Sequence, residues 1–250
     1  QSLSSSNCKS IICWSEAGRR SLLCDLDSQR FADKLVVVPY AAPLKPTPDK
    51  KEGIKNVKIL FVGSGSANGA FTGRGSSIFA VFDLLSPNYE NLELVVRSDV
   101  PETLKARYRG VKNVSIMDKP VSAEVLEQEF QTADIFLMPA YGTVPVTILH
   151  AMSYGLPVVT IDSWANREYV DHGRTGLVAE RAKKVPAYYA DTTQPGFLTP
   201  GFNRMVSTPD PEEVASLAHQ VQLLIESPEL RSKLGQTARW ERATSPYPWR

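Results

Sequence analysis

Between residues 57 and 180, short apolar runs alternate with helix-like stretches, and this alternation most narrows the folds open to the chain. "VKILFVG" (57–63), "LELVV" (92–96), "NVSIM" (113–117), "DIFLMP" (134–139), "PVVTID" (157–162) and "TGLVAE" (175–180) read as strands. Their near-continuous apolar character is that of strands covered on both faces. Between them, "GSSIFAVFDLL" (75–85), "PETLKARYR" (101–109), "SAEVLEQEFQTA" (122–133), "PVTILHAMSYG" (145–155) and "ANREYV" (165–170) read as helices or helical turns. Pro101 suits a first turn and Ser122 an N-cap. The pattern predicts an α/β fold: a Rossmann-like, doubly wound parallel sheet from about 55 to 180.

The flanks are less regular. "SIICWSEAGRRSLL" (10–23) predicts a short strand and a helix opened by Ser15, and "KLVVVPY" (34–40) a second strand. "AAPLKPTPDKKEG" (41–53) is rich in Pro and charge without an apolar period, which is a linker signal. "RAKKVPAYYADTTQPGFLTPGFNRMV" (181–206) reads as an irregular excursion. "DPEEVASLAHQVQLLIES" (210–227) and "PELRSKLGQTARWERA" (228–243) read as two helices, each with Pro in its first turn. The expected segments are 1–45, a linker at 46–56, a Rossmann-like domain at 57–206 and C-terminal helices at 207–250.

With 28 basic and 27 acidic residues the formal net charge is +1, so no global field points to nucleic acid. No apolar run approaches the roughly 18 residues of a membrane span. "QSLSSSNCKS" has no apolar core, so no signal peptide is predicted, and a start at Gln1 reads as a processed or truncated chain. Cys8, Cys13 and Cys24 predict free thiols in a reducing compartment. His150, His172 and His219 are scattered, and no metal-ligand spacing joins them to the cysteines.

Ligands of open parallel sheets bind outside the carboxyl ends of the strands. Four loops qualify. "GSGSANGAFTGRGSS" (63–77) supplies Gly65, Arg74 and Gly75, a combination of close backbone approach and a phosphate-binding cation, or else a plain Gly/Ser loop. It is no strict GxGxxG, and Arg97 stands where a dinucleotide fold would end its second strand with an acid. Arg97 either faces a phosphate or is solvated. Lys119, Pro120 and Val121 border a base or phosphate, or form a simple turn. In "PAYGTVPVTILHAM" (139–152), Gly142 and Thr143 allow close approach, while the amides of Val144 and Val146 lie at a helix N-terminus, where an anion is favoured. His150 lies inside that helix, as a ligand contact or a partly buried histidine. No catalytic triad or close carboxylate pair emerges. Asp134 begins a strand at the wrong end of the sheet, Asp162 has no evident partner, and Glu168 has no assigned role.

These segments resemble a known family. "VKILFVGSG", "GRGSSIFAVFDLL", "NVSIMDKPVSAEVLEQEFQTADIFLMPA", "VTILHAMSYGLPVVTID" and "REYVDHGRTGLVAE" are similar, in order, to the nucleotide-sugar-binding half of GT-B glycosyltransferases of the retaining family 4 (group 1) type. "SIICWSEAGRRSLL" and "FADKLVVVPYAAP" resemble the end of the N-terminal domain and the crossover. The resemblance implies a hexosyltransferase-type donor domain of glycan biosynthesis. The donor would be a nucleoside-diphosphate sugar, such as a UDP-sugar, with no metal or other cofactor. The acceptor glycan, lipid or protein would be held by a missing N-terminal domain. A cytoplasmic setting is implied, with peripheral membrane contact by the full-length protein, and inactivity of the fragment alone.

Residue by residue, the family's phosphate-binding Lys-Gly falls on Arg74–Gly75, and the Arg that follows its first strand falls on Ser64. The base-bordering backbone falls near Lys119, Pro120 and Val121. The Glu-x7-Glu pair falls on Gly142 and His150, so neither carboxylate is present. His150 could hydrogen-bond a ribose hydroxyl. The second reading is therefore a nucleotide-binding or structural domain without turnover. A sugar-nucleotide epimerase would need cleft acids that the sequence lacks. The C-terminal helices are expected to pack back toward the N-terminal domain, leaving Trp240 partly unsupported.

Overall fold

The computed structural model describes residues 5–24, 28–45, 56–63, 75, 77–141, 146–185 and 200–244. Among these, the chain opens with β1 (Ile11–Cys13), α1 (Glu16–Leu23), a 3-10 stretch (Ser28–Lys34) and β2 (Leu35–Val37). There follow β3 (Val57–Val62), α2 (Ile78–Leu85), β4 (Leu92–Arg97), α3 (Glu102–Tyr108), β5 (Val114–Met117) and α4 (Ala123–Thr132). Next come β6 (Ile135–Met138), α5 (Val146–Ser153), β7 (Val158–Ile161), α6 (Asn166–Tyr169) and β8 (Gly176–Ala179). α7 (Pro200–Val206), α8 (Pro211–Glu226) and α9 (Pro228–Thr244) complete the described elements.

The apolar runs form one parallel six-stranded sheet in the order β5-β4-β3-β6-β7-β8. β3 pairs with β4 through Leu60↔Val95 and with β6 through Ile59↔Ile135. The order reverses there, which is the mark of a doubly wound sheet. Phe79 of α2 stacks on Tyr108 of α3, and Phe130 of α4 stacks on Tyr154 just after α5. α8 joins α2, and α9 packs on α5. Ile59, Leu60, Phe61, Phe136 and Leu137 are fully buried between these layers. Each such side chain contributes about 1.5–3 kcal/mol relative to exposure.

The caps follow local chemistry. Ser15 and Ser122 accept hydrogen bonds from the amides of Gly18 and Val125, as their positions predict. Asp210 caps α8 by accepting from the amides of Glu212 (3.1 Å) and Glu213 (3.4 Å).

The irregular excursion expected at 181–206 needs correction at its end, where Pro200–Val206 is helical. Phe202 and Val206, one turn apart, bury against the core, so tertiary packing orders a segment whose composition suggests none. The linker expected at 46–56 lies outside the described residues apart from Asn56. Of the C-terminal helices, α9 reaches the segment after β2, where Arg239 Nη2 donates to the Lys45 carbonyl (2.9 Å). Trp240 is exposed.

β1 and β2 form a separate two-stranded parallel sheet. Cys13, Phe31 and Leu35 make its small core, while Ile12, Trp14, Val36 and Val38 on its other side are exposed. The unit is fastened to α6. Glu168 accepts from the amides of Glu16 and Ala17, both at 2.7 Å, and the Tyr169 hydroxyl donates to the Trp14 carbonyl at 2.7 Å. The three cysteines are free thiols. Among the described residues no helix is long and apolar enough to cross a membrane.

Candidate functional site

The strand order reverses between β3 and β6, and in open parallel sheets ligands bind in the crevice outside the carboxyl ends of the strands at such a reversal. The segments that follow β3 and β6 lead into α2 and α5, and residues 64–74, 76 and 142–145 of them lie outside the described residues. β3 ends at Gly63, whose amide donates to the Arg97 carbonyl (2.8 Å). A Cβ at Gly63 would meet Ser98 Oγ at 2.6 Å and the Phe61 ring at 3.0 Å, so a larger residue there would force one of these side chains to move. At the end of β4, Arg97 is half-buried, and its Nε is buried without a hydrogen-bond partner among the described residues. An orphaned guanidinium nitrogen is costly and marks a place where an acceptor would be welcome.

Of the residues singled out by sequence, Gly65, Arg74, Gly142, Thr143 and Val144 lie outside the described residues. Gly75 is buried just ahead of α2, and Val146 is the half-buried first residue of α5. Lys119 and Pro120 are exposed and Val121 half-buried in the loop after β5.

His150 sits in the second turn of α5. Its ring meets Phe130 of α4 edge-on, with centroids 6.3 Å apart, and Phe130 stacks in turn on Tyr154. Burial holds its pKa below the ordinary value of 6.5, and the Lys45 cation adds to the effect. The folded chain therefore binds fewer protons here than the unfolded chain once pH drops below about 6.5. Stability present above that pH is lost as pH falls toward the folded-state value. His150→Gln is expected to flatten the dependence of the urea midpoint on pH between about 7 and 5. An unchanged slope would assign the acid sensitivity elsewhere.

Among the carboxylates, the reading of Asp162 needs revision. Asp162, for which no partner was expected, pairs with Arg167 (2.8 Å). Asp134, at the opposite end of the sheet, accepts from the Lys58 amide (3.0 Å). Glu168 is engaged with α1.

Three polar groupings at this end of the sheet escape a reading of the sequence. Asn166, buried, donates from Nδ2 to the carbonyls of Ala140 and Ile161, both at 3.0 Å, and so ties the ends of β6 and β7 together. Trp164, in the loop after β7, adopts a left-handed backbone (φ 49°), which few non-glycine residues do. The third is Glu213 of α8, only 2% exposed. It accepts from Ser77 Oγ (2.5 Å), from the Tyr141 hydroxyl and from the Ala182 amide (3.1 Å). Tyr141 OH also accepts from the Ala182 amide (3.1 Å). Burial first, and then Glu213, push the Tyr141 pKa upward, so the phenol stays a donor. The spacing Asp210-x-x-Glu213 reads as a capping box. In the fold Asp210 caps alone and Glu213 turns instead to Ser77, Tyr141 and the Ala182 amide.

The site geometry defines a class: an open, doubly wound α/β domain with its crevice at the strand-order reversal. Residues 56–194, more than half of the chain, match the family described as glycosyl transferases group 1, and the chain belongs to that family. Solved structures agree on the fold. A mutant of S. aureus TarM, in complex with fondaparinux, α-GlcNAc-glycerol and UDP, aligns with a TM-score of 0.70 at 13% identity. That alignment covers 96% of this chain and 41% of TarM. The C-terminal domain of the Francisella tularensis group 1 glycosyl transferase LpcC aligns at 0.55 and 12% identity, covering 77% of this chain and 91% of that one. Anabaena HepE in complex with UDP and glucose aligns at 0.63 and 15% identity, covering 94% and 58%. The chain thus spans about two fifths of the length of TarM. No curated protein sequence matches it.

Proposed function

We propose that this chain is the donor-binding part of a retaining glycosyltransferase, taking a nucleoside-diphosphate sugar into the crevice between β3 and β6. The observation that carries the reading is the half-buried Arg97, whose Nε lacks a partner among the described residues, at the carboxyl end of β4 beside that crevice. A phosphate oxygen is the acceptor such a nitrogen suits.

On this reading Arg97 and Arg74 offset the diphosphate charge. Gly65, Gly75, Gly142 and Thr143 permit close backbone approach, and the amides of Val144 and Val146 face the anion. Lys119, Pro120 and Val121 border the base, and His150 the ribose side. Charge stabilisation of the leaving diphosphate is the catalytic contribution, without a metal. The acceptor, a glycan, lipid or protein, is held by a preceding N-terminal domain, so the chain alone does not turn over. The setting is cytoplasmic, with peripheral membrane contact of the longer protein.

The second reading is nucleotide binding without turnover. Gly142 and His150 favour it, because they stand where the family carries its two glutamates.

The test is calorimetric titration of the chain with UDP, GDP, ADP and dTDP, alongside Arg97→Ala. One nucleotide is expected to bind, and Arg97→Ala to weaken it about tenfold or more, in line with the ~1.5–3 kcal/mol of a charged hydrogen bond. Absence of binding at millimolar concentration would remove the donor-domain reading of this chain. Binding of the nucleotide sugar without transfer by the longer protein would favour the second.

A further inference from the structure

We propose that the groove between α2, α3 and the start of α8 is a second binding site, one that takes a neutral sugar unit presenting two adjacent hydroxyls. Its lining residues lie on these helices and their approaches, not at the carboxyl ends of β3 and β6, so the site does not depend on the donor-binding reading. The groove measures about 760 Å³, within the range of small-molecule pockets. Phe79 of α2 and Tyr108 of α3 stack there, with ring centroids 4.5 Å apart and both side chains buried. Leu84, Pro101, Leu104 and Val214 extend the apolar wall.

A polar pair stands against this wall. Asp83 Oδ2 accepts from the Tyr108 hydroxyl (2.7 Å) and from Arg107 Nη2 (2.6 Å). Arg107 also lies over the Tyr108 ring, 5.4 Å from its centroid. Burial first, and then the bond to Asp83, push the Tyr108 pKa upward, so the phenol stays a donor to the carboxylate. These contacts fix the pair and still leave capacity. Among the described residues, Asp83 Oδ1, Arg107 Nε and Arg107 Nη1 make no hydrogen bond. The two side chains are 37% and 65% exposed, which leaves both open to a ligand. The Thr103 hydroxyl, on the same helix, adds one donor and two acceptor sites.

The charges decide the ligand class. Asp83 and Arg107 cancel, so an ion gains from one what it loses to the other. An acyl chain would cover Asp83 Oδ1 and the Thr103 hydroxyl without pairing them, and an unpaired buried polar group is costly. A pair of adjacent hydroxyls suits both members. One donates to the carboxylate, its neighbour accepts from the guanidinium, and the carbon-bound hydrogens of the sugar ring rest on the apolar wall.

The experiment is an amide NMR titration of the full chain with glucose, galactose, mannose, N-acetylglucosamine and maltose, with the apolar probe ANS alongside. It is repeated in Arg107→Met, which keeps the apolar stem, and in Thr103→Trp, which fills the groove. Both positions are exposed, so the fold tolerates the changes, and the spectra report folding directly. At least one saccharide is expected to bind in the millimolar range and to move the amides of Thr103, Arg107 and Tyr108. Each variant is expected to weaken that binding about fivefold or more. Should one variant fail to fold, the other decides the question alone. No saccharide bound at tens of millimolar would overturn the proposal. So would binding that leaves these amides unmoved, or that a folded variant retains in full. ANS in the groove with no saccharide bound would assign it to an apolar ligand instead and overturn the proposal equally.

Discussion

Gly235→Ala is expected to destabilise the chain by roughly 1–3 kcal/mol, although the same change in an exposed helix interior would stabilise by about 1 kcal/mol. Gly235 lies inside α9, where the backbone of the helix rests against the turn after α5. A Cβ there would stand 2.0 Å from the Gly155 carbonyl oxygen and 2.9 Å from its carbon. The obstacle is main chain, so no side chain can rotate away. Either α9 lifts off α5 or the turn at Gly155 shifts, and the latter disturbs the entry into β7 at Pro157. Urea denaturation of the two proteins checks this through the midpoint at constant m-value. An alanine variant as stable as the parent would mean that α9 does not seat on the turn as described. The contact links the "YGLPVV" stretch to the C-terminal helix and gives a packing reason for Gly235, while Gly155 holds a left-handed backbone (φ 74°).

Glu168→Ala carries the second large effect, and it is local. The carboxylate receives the amides of Glu16 and Ala17, at 2.7 Å each, at the start of α1. Hydrogen bonds to charged groups are worth about 1.5–3 kcal/mol each, and both are lost together. Ala17 is packed into the main core, so the carboxylate also holds that contact in place. Amide exchange at Glu16 and Ala17 is expected to speed up at least tenfold, and limited proteolysis to cut sooner between residues 5 and 45. The sheet itself should unfold at nearly the same urea concentration. Unchanged exchange at both amides would show that Tyr169 and the apolar contacts suffice to hold the unit.

What could be read from the sequence divides along physical lines. Strands buried on both faces announce themselves by continuous apolar runs, so β3 to β8 were legible, as were caps that act locally, such as Ser15 and Ser122. α7 was not, because its order comes from seating Phe202 and Val206 on the core, and the surrounding Pro and Gly mask the four-residue spacing. Glu213 has nothing in the sequence to set it apart from its first-turn neighbour Glu212. Its partners, Ser77, Tyr141 and Ala182, come from three distant stretches that only the folded sheet brings together. Glu168 was visible as a carboxylate without a task, since backbone amides leave no mark in a sequence. The position of Arg97 at a strand end could be read directly. Its orphaned Nε could not, because burial of a single atom depends on everything packed around it.

The pairing of β3 with β6 has a consequence in time. As the chain emerges from the ribosome, β3, β4 and β5 can zip together in order of synthesis, each beside the strand made before it. Ile59 must then wait for Ile135, which arrives only after β4, β5 and their helices have been made. Contacts of such long sequence separation close late and slowly. Until they do, the inner edge of β3 is bare and the crevice does not exist. The binding site is therefore among the last features of the sheet to be born, and a nascent chain that stops short of β6 can be well ordered in its first half with nowhere to receive a ligand.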